Sequence, residues 1–481
     1  MTDLAPVQLE AITRANGRHG FAFFMEMGLG KTLTVLTEFR VLKMCNEVER
    51  LVVICPNSFK SGWDEEMRKH DVRLHRIVYE AARKQRYNQH IQIDPDDGPR
   101  AYPLDVLIIN YEAARTSKGK KAIIDFVGDA ECYLALDESV KLKNRNAAQT
   151  QAIIGKEHKL YPKPGLAAMF KFVRVLSGKP MTQGPHDLWA QLKAIDGAQG
   201  ISYFGWQARF CQMGGWENRQ CIGALNEDLL QQILAPVSFQ AKKKDWLKGL
   251  PKKTYTTRRY ALGPVLQTHY DQMEADFLTY VEGERVAVDV AIAKWEKISQ
   301  IQCGFVLNDG EIKDIVGWDE NPRLNLLREI LDEEVTGKAV IVYRHRHAGT
   351  LLAALFDGHR KAWIQGGMTP DEIDHQKRWF DNPTCRFMLL QAEAGKYGHT
   401  LIGTPDDPCS TMIFFENSYS LDTRSQMEDR IHRMGAVAES CLYVDLSGSD
   451  YDAGVARSLQ RKERMFQAVF PEGVKAFEVA A

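Results

Sequence analysis

The segment Met25–Thr32 constrains the fold of this chain more than any other stretch, because it reads Met-Glu-Met-Gly-Leu-Gly-Lys-Thr. A Gly-Lys-Thr sequence that opens a helix lets main-chain N–H groups close around a nucleotide phosphate. A lysine such as Lys31 can then neutralise β- and γ-phosphate oxygens, and the hydroxyl of Thr32 can bind Mg²⁺. The full pattern carries a glycine where Met25 stands, so an ordinary helix start is the alternative interpretation.

Length and composition predict a globular protein of two or three domains. The chain has 481 residues, more than one core usually holds, with 44% hydrophobic and 26% charged residues. Because the formal net charge is −1, any surface for nucleic acid must be a local patch. No apolar run is long enough to span a membrane and no signal peptide is recognisable, so we expect a cytoplasmic protein without a membrane partner, with the nucleus as the alternative.

Neither the cysteines nor the histidines indicate a metal site. The nine cysteines contain no Cys-x-x-Cys pair, which favours reduced thiols over a disulfide framework or a zinc site. The run Arg344–His347 reads Arg-His-Arg-His and follows a predicted strand, so we interpret it as a solvated loop or strand end.

Short apolar runs alternate with helical patterns in the first and last parts of the chain. The predicted buried parallel strands are Leu51–Cys55, Asp105–Ile109, Cys132–Leu136 and Phe172–Leu176, then Ala339–Tyr343, Phe387–Leu390, Met412–Phe415 and Cys441–Val444. Between these groups the strand signal fades, and Asn226–Leu234 and Val265–Lys297 look helical. We therefore predict an α/β fold, with two doubly wound parallel-sheet lobes and a mostly helical region between them. The predicted domain bounds are 1–195, 196–322 and 323–481.

Asp137 and Glu138 directly follow the predicted strand Cys132–Leu136. The carboxyl ends of parallel strands are where ligands bind in open α/β sheets. One carboxylate can hold Mg²⁺ while its neighbour orients or deprotonates an attacking water. A plain helix cap is the alternative interpretation.

A second constellation, from Gln426 to Gly435, contains Arg430 and Arg433. Residues three apart share one face of a helix, so we expect the two guanidinium groups to lie together. Paired guanidinium groups could stabilise the charge on a transferring phosphoryl group. A solvated helix with an Asp429–Arg433 pair is the alternative.

These motifs stand in the order found in Swi/Snf-type ATPases of helicase superfamily two, which the chain resembles over nearly its whole length. The phosphate loop of that family also lacks the first glycine, which removes the objection raised by Met25. Arg209–Cys211 and Leu250–Lys252 resemble the compact, fork-remodelling branch. Other matching segments are Leu4–Gln8, Cys55–Ser58 with Trp63, Ile109–Glu112, Leu176–Pro180 with Asp187–Trp189, and Ala394–Gly398.

The resemblance implies two RecA-like lobes, ATP and Mg²⁺ as cofactors, and double-stranded or forked DNA as partner. It implies that ATP binds in a cleft between the lobes, where Gln8 reads adenine. The implied catalytic residues are Lys31, Asp137, Glu138, Arg430 and Arg433. The implied nucleotide-binding residues are Gln8, Gly28, Leu29, Gly30, Lys31, Thr32, Gly395 and Gln426, and the implied Mg²⁺ ligands are Thr32 and Asp137. The implied nucleic-acid contacts are Asn57, Ser58, Lys60, Asn110, Tyr111, Lys396 and Thr400, with ordinary polar loop residues as the alternative.

The chain departs from the family pattern at Ser139 and Val140, which replace Ala-His, and at Lys179, where threonine is usual. None of these departures removes a phosphate, Mg²⁺ or arginine-finger ligand. We therefore expect ATP hydrolysis to be retained. The resemblance implies that hydrolysis drives movement along double-stranded DNA without strand separation. A strand-separating DNA or RNA helicase, a hydrolysis-uncoupled DNA-binding adaptor and a nucleotide-dependent signalling switch are the alternatives. Because little of the chain lies outside the two lobes, we also expect either a microbial or viral setting or a protein partner that supplies targeting.

Overall fold

The computed structural model describes the backbone of residues 4–70, 74–80, 104–156, 163–215, 218, 220–281, 288–356, 360–395, 400–433 and 435–471. Two compact units divide the chain. The first unit comprises Met1–Lys248 with Arg461–Ala481, and the second comprises Gly249–Gln460. The stretch 196–322, which the sequence predicted as a separate part, is thus divided between the two units.

The first unit is built on a sheet of seven parallel strands. The strands of this unit are β1 (Gly20–Met25), β2 (Arg50–Cys55), β3 (Arg76–Val78), β4 (Val106–Asn110), β5 (Cys132–Leu136), β6 (Phe172–Leu176), β7 (Cys211–Gly214), β8 (Gln220–Ala224) and β9 (Ser238–Ala241), of which all but β7 and β8 belong to the sheet. The sheet order is β3-β4-β2-β5-β6-β1-β9, and every pair in it is parallel. Strands β7 and β8 form a separate antiparallel hairpin. Because β9 pairs with β1, the chain beyond residue 195 completes this sheet.

Helices cover both faces of this sheet. They are α1 (Pro6–Ala15), α2 (Lys31–Met44), α3 (Lys60–Lys69), α4 (Tyr111–Ala114), α5 (Ser117–Val127), α6 (Ala148–Ile154), α7 (His186–Lys193), α8 (Tyr203–Phe210), α9 (Glu227–Leu234) and α10 (Lys243–Trp246). Side chains alternate along each strand, so Phe21 and Phe23 of β1 pack with α1, α2 and α3. Ala22 and Phe24 face the opposite core, which includes α5, α7 and α9. Burial on both faces explains why the central strands are continuous apolar runs.

The second unit repeats this layered arrangement with a six-stranded parallel sheet. Its strands are β10 (Lys252–Arg259), β11 (Phe305–Asn308), β12 (Glu311–Asp314), β13 (Lys338–Tyr343), β14 (Lys361–Ile364), β15 (Phe387–Gln391), β16 (Gly403–Thr404), β17 (Asp407–Phe414) and β18 (Ser440–Ser447). The parallel order is β10-β18-β17-β13-β15-β14. Strand β16 pairs with β17, and β11 with β12, in antiparallel fashion.

Two packed cores flank the second sheet as well. The helices are α11 (Gly263–Val281), α12 (Val288–Gln302), α13 (Pro322–Glu333), α14 (Arg346–Ala354), α15 (Pro370–Phe380), α16 (Ala392–Gly395), α17 (Leu421–Glu428) and α18 (Asp450–Val469). Ala339 and Ile341 of β13 pack with α13 and α14, whereas Val340 and Val342 face the core that contains Phe380 of α15.

The structure confirms the α/β prediction of two parallel-sheet lobes and all eight predicted strands, with shifts of a few residues at their ends. The region 196–322 is richer in strands than expected, since β9 is a strand of the first large sheet and β10 is a strand of the second. In the part of the chain that the structure describes, no helix combines the length and the apolar character needed to cross a membrane.

Candidate nucleotide-binding site

The predicted phosphate loop connects β1 to α2 in the first unit. Gly28 and Gly30 adopt φ values of 91° and 79°, in the left-handed region that glycine enters without strain. A Cβ atom on Gly30 would lie 2.0 Å from Gln8 Nε2, so this glycine also makes room for the glutamine. Gln8 Nε2 donates to the carbonyl of Leu29 at 3.4 Å, and Gln8 Oε1 accepts from the Ala5 N–H at 3.0 Å. The structure therefore places Gln8 directly against the loop.

Lys31 and Thr32 open α2, as the motif predicts, and both side chains are half-buried. Lys31 Nζ donates to the main-chain carbonyl of Met25 at 2.9 Å. A Cβ atom added to Gly178, just after β6, would come within 3.6 Å of this ammonium group. The lysine therefore folds back over the strand ends of the sheet and carries its charge beside the loop.

Asp137 follows β5 and is held at the same edge of the sheet by three groups. Its Oδ2 accepts from Trp63 Nε1 at 2.8 Å, its Oδ1 accepts from the N–H of Glu138 at 3.0 Å, and its carbonyl accepts from the Tyr111 hydroxyl at 2.9 Å. Burial raises the pKa of Asp137, while the hydrogen bond from Trp63 and the charge of Lys31 oppose that rise. Lys31 and Asp137 thus interact electrostatically, although 106 residues separate them.

The oxygen donors at this edge suit Mg²⁺. Each carboxylate oxygen of Asp137 accepts one of the hydrogen bonds above and keeps a further lone pair for a ligand. Carboxylate and hydroxyl oxygens, such as those of Asp137 and Thr32, are donors that this hard cation prefers. The residues present therefore fit the ion that the motif implies.

Ser139 forms a link that the sequence did not predict. Its hydroxyl donates to Gln191 Oε1 at 2.7 Å, and Gln191 Nε2 donates to the carbonyl of Pro180 at 2.7 Å. Ser139 and Gln191 are both fully buried. The substituted position in the Asp-Glu motif is therefore connected to α7 and to the segment that follows β6.

Lys179, the other substituted position, forms an ion pair with Glu463 in α18. Its ammonium group also lies 4.9 Å from the ring centre of Phe466. Both partners belong to the C-terminal part of α18 that is grouped with the first unit. The lysine thus helps to hold this returning helix on the unit.

In the second unit, Arg430 and Arg433 follow α17 and do not lie within it. The helix ends at Glu428, so the expectation that both arginines share one helical face is wrong. Arg430 is fully buried, and its carbonyl accepts from the N–H of Leu401 at 3.0 Å. A residue at the end of a helix leaves the 3.6-residue repeat, so the spacing alone could not place these side chains.

Arg433 lies in the same turn and is half-buried. Its Nη1 donates to Thr400 Oγ1 at 2.8 Å, and its Nε donates to the carbonyl of Asp429 at 3.0 Å. The Asp429–Arg433 contact expected from the sequence therefore includes a main-chain oxygen. Burial lowers the pKa of Arg433, opposed by the charge of Asp429.

Gly395 and Gln426 also lie in the second unit. Gly395 ends α16, and a Cβ atom there would lie 2.7 Å from Leu390 Cγ, so close packing explains this glycine. Gln426 is buried in α17, and its Nε2 donates to Asp422 Oδ1 at 2.9 Å. Whether either residue binds nucleotide stays a prediction.

The predicted nucleic-acid contacts divide into exposed and engaged residues. Asn57 and Ser58 are exposed in the turn after β2, and Thr400 is exposed although its hydroxyl accepts from Arg433. Lys60 Nζ donates to the carbonyl of Tyr79 at 3.2 Å, and Asn110 Nδ2 donates to Glu112 Oε2 at 2.9 Å. Lys396 lies outside the described residues.

The prediction that Tyr111 contacts nucleic acid is wrong. Only 1% of its surface is exposed, and its hydroxyl donates to Asp137, so it cannot reach a phosphate on this surface. Tyr111 instead connects the end of β4 to the Asp-Glu motif.

The run Arg344–His347 begins at the end of β13, as one of the two interpretations expected, but His345 within it is not solvated. His345 contacts Glu416 through Nδ1 and Glu296 through Nε2, the latter at 2.7 Å. Burial lowers the pKa of His345, but the charge of Glu416 and the hydrogen bonds raise it to about 12. This histidine is therefore an imidazolium in an internal ion-pair cluster.

Comparison with known families identifies the chain. The family model described as SNF2-related domain matches residues 11–302, more than half of the sequence. The chain belongs to the SNF2-related family. This membership confirms the resemblance to Swi/Snf-type ATPases of helicase superfamily two that the motifs predicted.

Several curated proteins resemble the chain at low identity. The chromatin structure-remodeling complex subunit snf21 of Schizosaccharomyces pombe is 22% identical over 91% of this chain and 36% of its own length. The human DNA annealing helicase and endonuclease ZRANB3 is 22% identical over 96% of this chain and 40% of its own length. The chain therefore spans less than half the length of these two relatives.

Among solved structures, the SWI2/SNF2 ATPase core of Sulfolobus solfataricus in complex with dsDNA covers 97% of this chain at 19% identity, with a TM-score of 0.41.

Proposed function

We propose that this chain is an ATP-dependent translocase on double-stranded DNA that remodels DNA structures or DNA-bound proteins. The observation that carries the proposal is the meeting of the phosphate loop and Asp137 at one sheet edge. There Lys31 is held by the carbonyl of Met25 and acts electrostatically on Asp137. A nucleoside triphosphate has the negative charge and the shape that such an edge can bind.

Each residue of the first unit has a distinct proposed role in ATP hydrolysis. The N–H groups of the loop and Lys31 would bind the phosphates, and Gln8 would contact the base beside them. Thr32 and Asp137 would hold Mg²⁺, which supplies charge neutralisation at the phosphates when bound. Glu138 would orient and deprotonate the attacking water, as a neighbouring carboxylate can.

We assign Arg430 and Arg433 to stabilisation of the γ-phosphoryl group during transfer, as the family motif implies. Guanidinium groups keep their charge and match phosphate geometry, so they suit this role. Since the other proposed catalytic residues belong to the first unit, hydrolysis would be linked to movement of the units. Repeated cycles of such movement would drive the protein along DNA.

The proposed DNA partner rests on the family and on exposed polar groups. Asn57 and Ser58 are exposed in a short turn at the carboxyl end of β2, with the side chain of Lys60 nearby in sequence. Such groups contact phosphates without reading bases, so we propose binding to duplex or forked DNA without sequence preference. A protein partner that provides targeting is part of the same proposal.

ATP hydrolysis by the purified chain tests the proposal directly. The rate would be measured without nucleic acid and with duplex DNA, single-stranded DNA, forked DNA and RNA. Lys31→Ala removes the phosphate-binding charge and should lower kcat/KM by about 100-fold or more. Lys43→Ala is the matched control, because Lys43 lies on the same helix and contacts Glu49 and Asp105.

The nucleic acid that stimulates hydrolysis separates the candidate functions. Stimulation by duplex or forked DNA, lost in Lys31→Ala and kept in Lys43→Ala, supports the translocase, and displacement of a third strand from a triplex would then show movement. Stimulation by single strands or RNA alone would favour a strand-separating helicase. Absence of hydrolysis with every substrate would contradict both and favour a DNA-binding adaptor.

A further inference from the structure

A cluster of three soft ligands lies in the first unit, apart from the phosphate loop in sequence. It consists of His186, Cys211 and Cys221, which come from the first residue of α7, the first residue of β7 and the second residue of β8. One ligand atom from each residue lies within 4.8 Å of the other two. Cys211 and Cys221 are buried, with 4% and 7% of their surfaces exposed.

We propose that His186, Cys211 and Cys221 bind a structural zinc ion. With Zn–S near 2.3 Å and Zn–N near 2.0 Å, two ligand atoms of a tetrahedral site lie about 3.5–3.8 Å apart. His186 Nδ1 lies 3.7 Å from Cys211 Sγ, which is within that range. Small side-chain rotations would bring the third ligand into the same geometry, and a water can complete the fourth position.

The space between the ligands is preserved by a glycine. A Cβ atom built on Gly184 would lie 2.5 Å from Cys221 Sγ and 3.2 Å from His186 Nδ1. Any larger residue would therefore press into the point where the thiol and the imidazole converge. The backbone of the loop before α7 leaves room for both groups to turn toward one ion.

A buried carboxylate lies beside the proposed histidine ligand. Asp187 Oδ1 lies 3.5 Å from His186 Nε2, and it has no hydrogen-bond donor among the residues that the structure describes. Asp187 Oδ2 accepts from Thr182 and from the N–H of Gln183, which holds the carboxylate in place. A small rotation of the ring would let the Nε2–H group donate to this oxygen and leave the Nδ1 lone pair for the metal, an arrangement common behind zinc-binding histidines.

Charge favours the same ion. Two thiolates and one neutral imidazole would exactly balance the double positive charge of zinc, so the buried complex would carry no net charge. A neutral complex avoids the cost of placing an unbalanced charge in the core. Cysteine sulfur and histidine nitrogen are also ligands that zinc prefers, and three protein ligands with water in the fourth position is one of its common coordination patterns.

The second cluster of this kind, Cys303, His345 and Glu416, does not have these properties. Both ring nitrogens of His345 contact carboxylates of Glu416 and Glu296. An imidazolium with both N–H groups engaged offers no lone pair to a metal. His345 therefore could not bind a metal without giving up one of these two contacts.

The ion would fasten the β7–β8 hairpin to the start of α7. A two-stranded hairpin is marginally stable by itself, so a metal link is a reasonable way to hold it. The link would reach Asp187–Trp189, one of the segments that match the family pattern. The cysteines gave no sequence signal because the three ligands are separated by 25 and 10 residues, without a Cys-x-x-Cys pair.

Cobalt substitution tests the site in the full chain. Protein reduced and stripped of metal would be titrated with Co²⁺, and we expect one equivalent to give thiolate-to-cobalt charge-transfer absorption and the strong d–d bands of tetrahedral cobalt. An equal amount of Zn²⁺ should remove these bands. Cys211→Ser and Cys221→Ser should each lose them, whereas Cys132→Ser, which changes an equally buried thiol in β5, should keep them.

A second readout guards against variants that do not fold. Zn²⁺ should raise the Tm of the stripped wild-type protein and protect Cys211 and Cys221 from alkylation, with no variant needed. Absence of cobalt absorption from the folded wild-type protein, or a disulfide between Cys211 and Cys221 in the protein as purified without metal, would overturn the proposal. Cobalt bands that persist in both folded serine variants would overturn it as well.

Discussion

Replacing Trp63 with phenylalanine should change the pH dependence of ATP hydrolysis. Trp63 Nε1 donates to Asp137 Oδ2 at 2.8 Å, and only 1% of the tryptophan is exposed. This bond stabilises the charged form of a carboxylate whose pKa is raised by burial. Phenylalanine keeps most of the ring and removes the donor, so the pKa of Asp137 should rise further.

The size of the effect follows from the strength of a buried hydrogen bond to a charged group. Such a bond contributes about 1.5–3 kcal/mol, which corresponds to about one to two pH units at about 1.4 kcal/mol per unit. Protonated Asp137 is a poor ligand for Mg²⁺, so activity is lost where the proton binds. We therefore expect the acid limb of the kcat/KM profile to move to higher pH by about one to two units, with little change in alkaline solution.

Trp189→Phe is the matched control for this measurement. Trp189 is equally buried, and its Nε1 donates at 2.8 Å to the main-chain carbonyl of Ile201 instead of to a carboxylate. The control should lose similar packing and leave the acid limb where it is. DNA-stimulated hydrolysis would be measured for both variants and the wild type across the acid and neutral range. An unmoved acid limb in Trp63→Phe, or an equal shift in the control, would refute the reasoning.

Three further perturbations have defined outcomes. Gly30→Ala should abolish ATP binding, because its Cβ would lie 2.0 Å from Gln8 Nε2. Gly17→Ala is the control, since Gly17 has a similar φ of 71° with no atom within 4 Å, and it should lose only about 1–2 kcal/mol of stability. Equal binding of an ATP analogue by the two variants would show that the clash is unimportant. Arg174→Met should cost about 3–5 kcal/mol in urea unfolding, because it leaves buried Glu38 without its cationic partner at 2.6 Å. Arg14→Ala breaks a partly exposed ion pair and should cost less than about 1 kcal/mol. Similar losses in the two variants would contradict the burial argument. His345→Gln should destabilise the protein most in acid, because the pKa of His345 is raised to about 12 in the folded state. The stabilisation from the charged imidazolium is complete below about pH 6.5 and falls by up to about 1.4 kcal/mol per pH unit as the pH rises. A difference in unfolding free energy that does not change with pH would contradict this prediction.

The sequence predicted the strands that are buried on both faces. Cys132–Leu136 and Phe172–Leu176 match β5 and β6 in full, because a parallel strand between two helical layers must be apolar along its length. Strand β10, Lys252–Arg259, was missed because its residues are mostly polar and exposed. Its extended conformation comes from pairing with β18, a partner nearly 190 residues away.

Within the candidate site, the sequence alone determined the chemical groups and which strands they follow. Local chain geometry is enough for this, since a loop after a parallel strand must reach the carboxyl edge of the sheet. It could not determine that Tyr111 is buried against Asp137, or that Arg430 follows the end of a helix.

The tertiary structure alone decided which distant side chains meet. Ser139 finds Gln191, and His186 finds Cys211 and Cys221, only after the strands and helices have packed. Residue spacing encodes contacts over a few residues, whereas these contacts depend on the relative positions of whole elements. The phosphate loop could therefore be recognised from the order of its residues, while the proposed zinc cluster became visible only when the β7–β8 hairpin was placed beside α7.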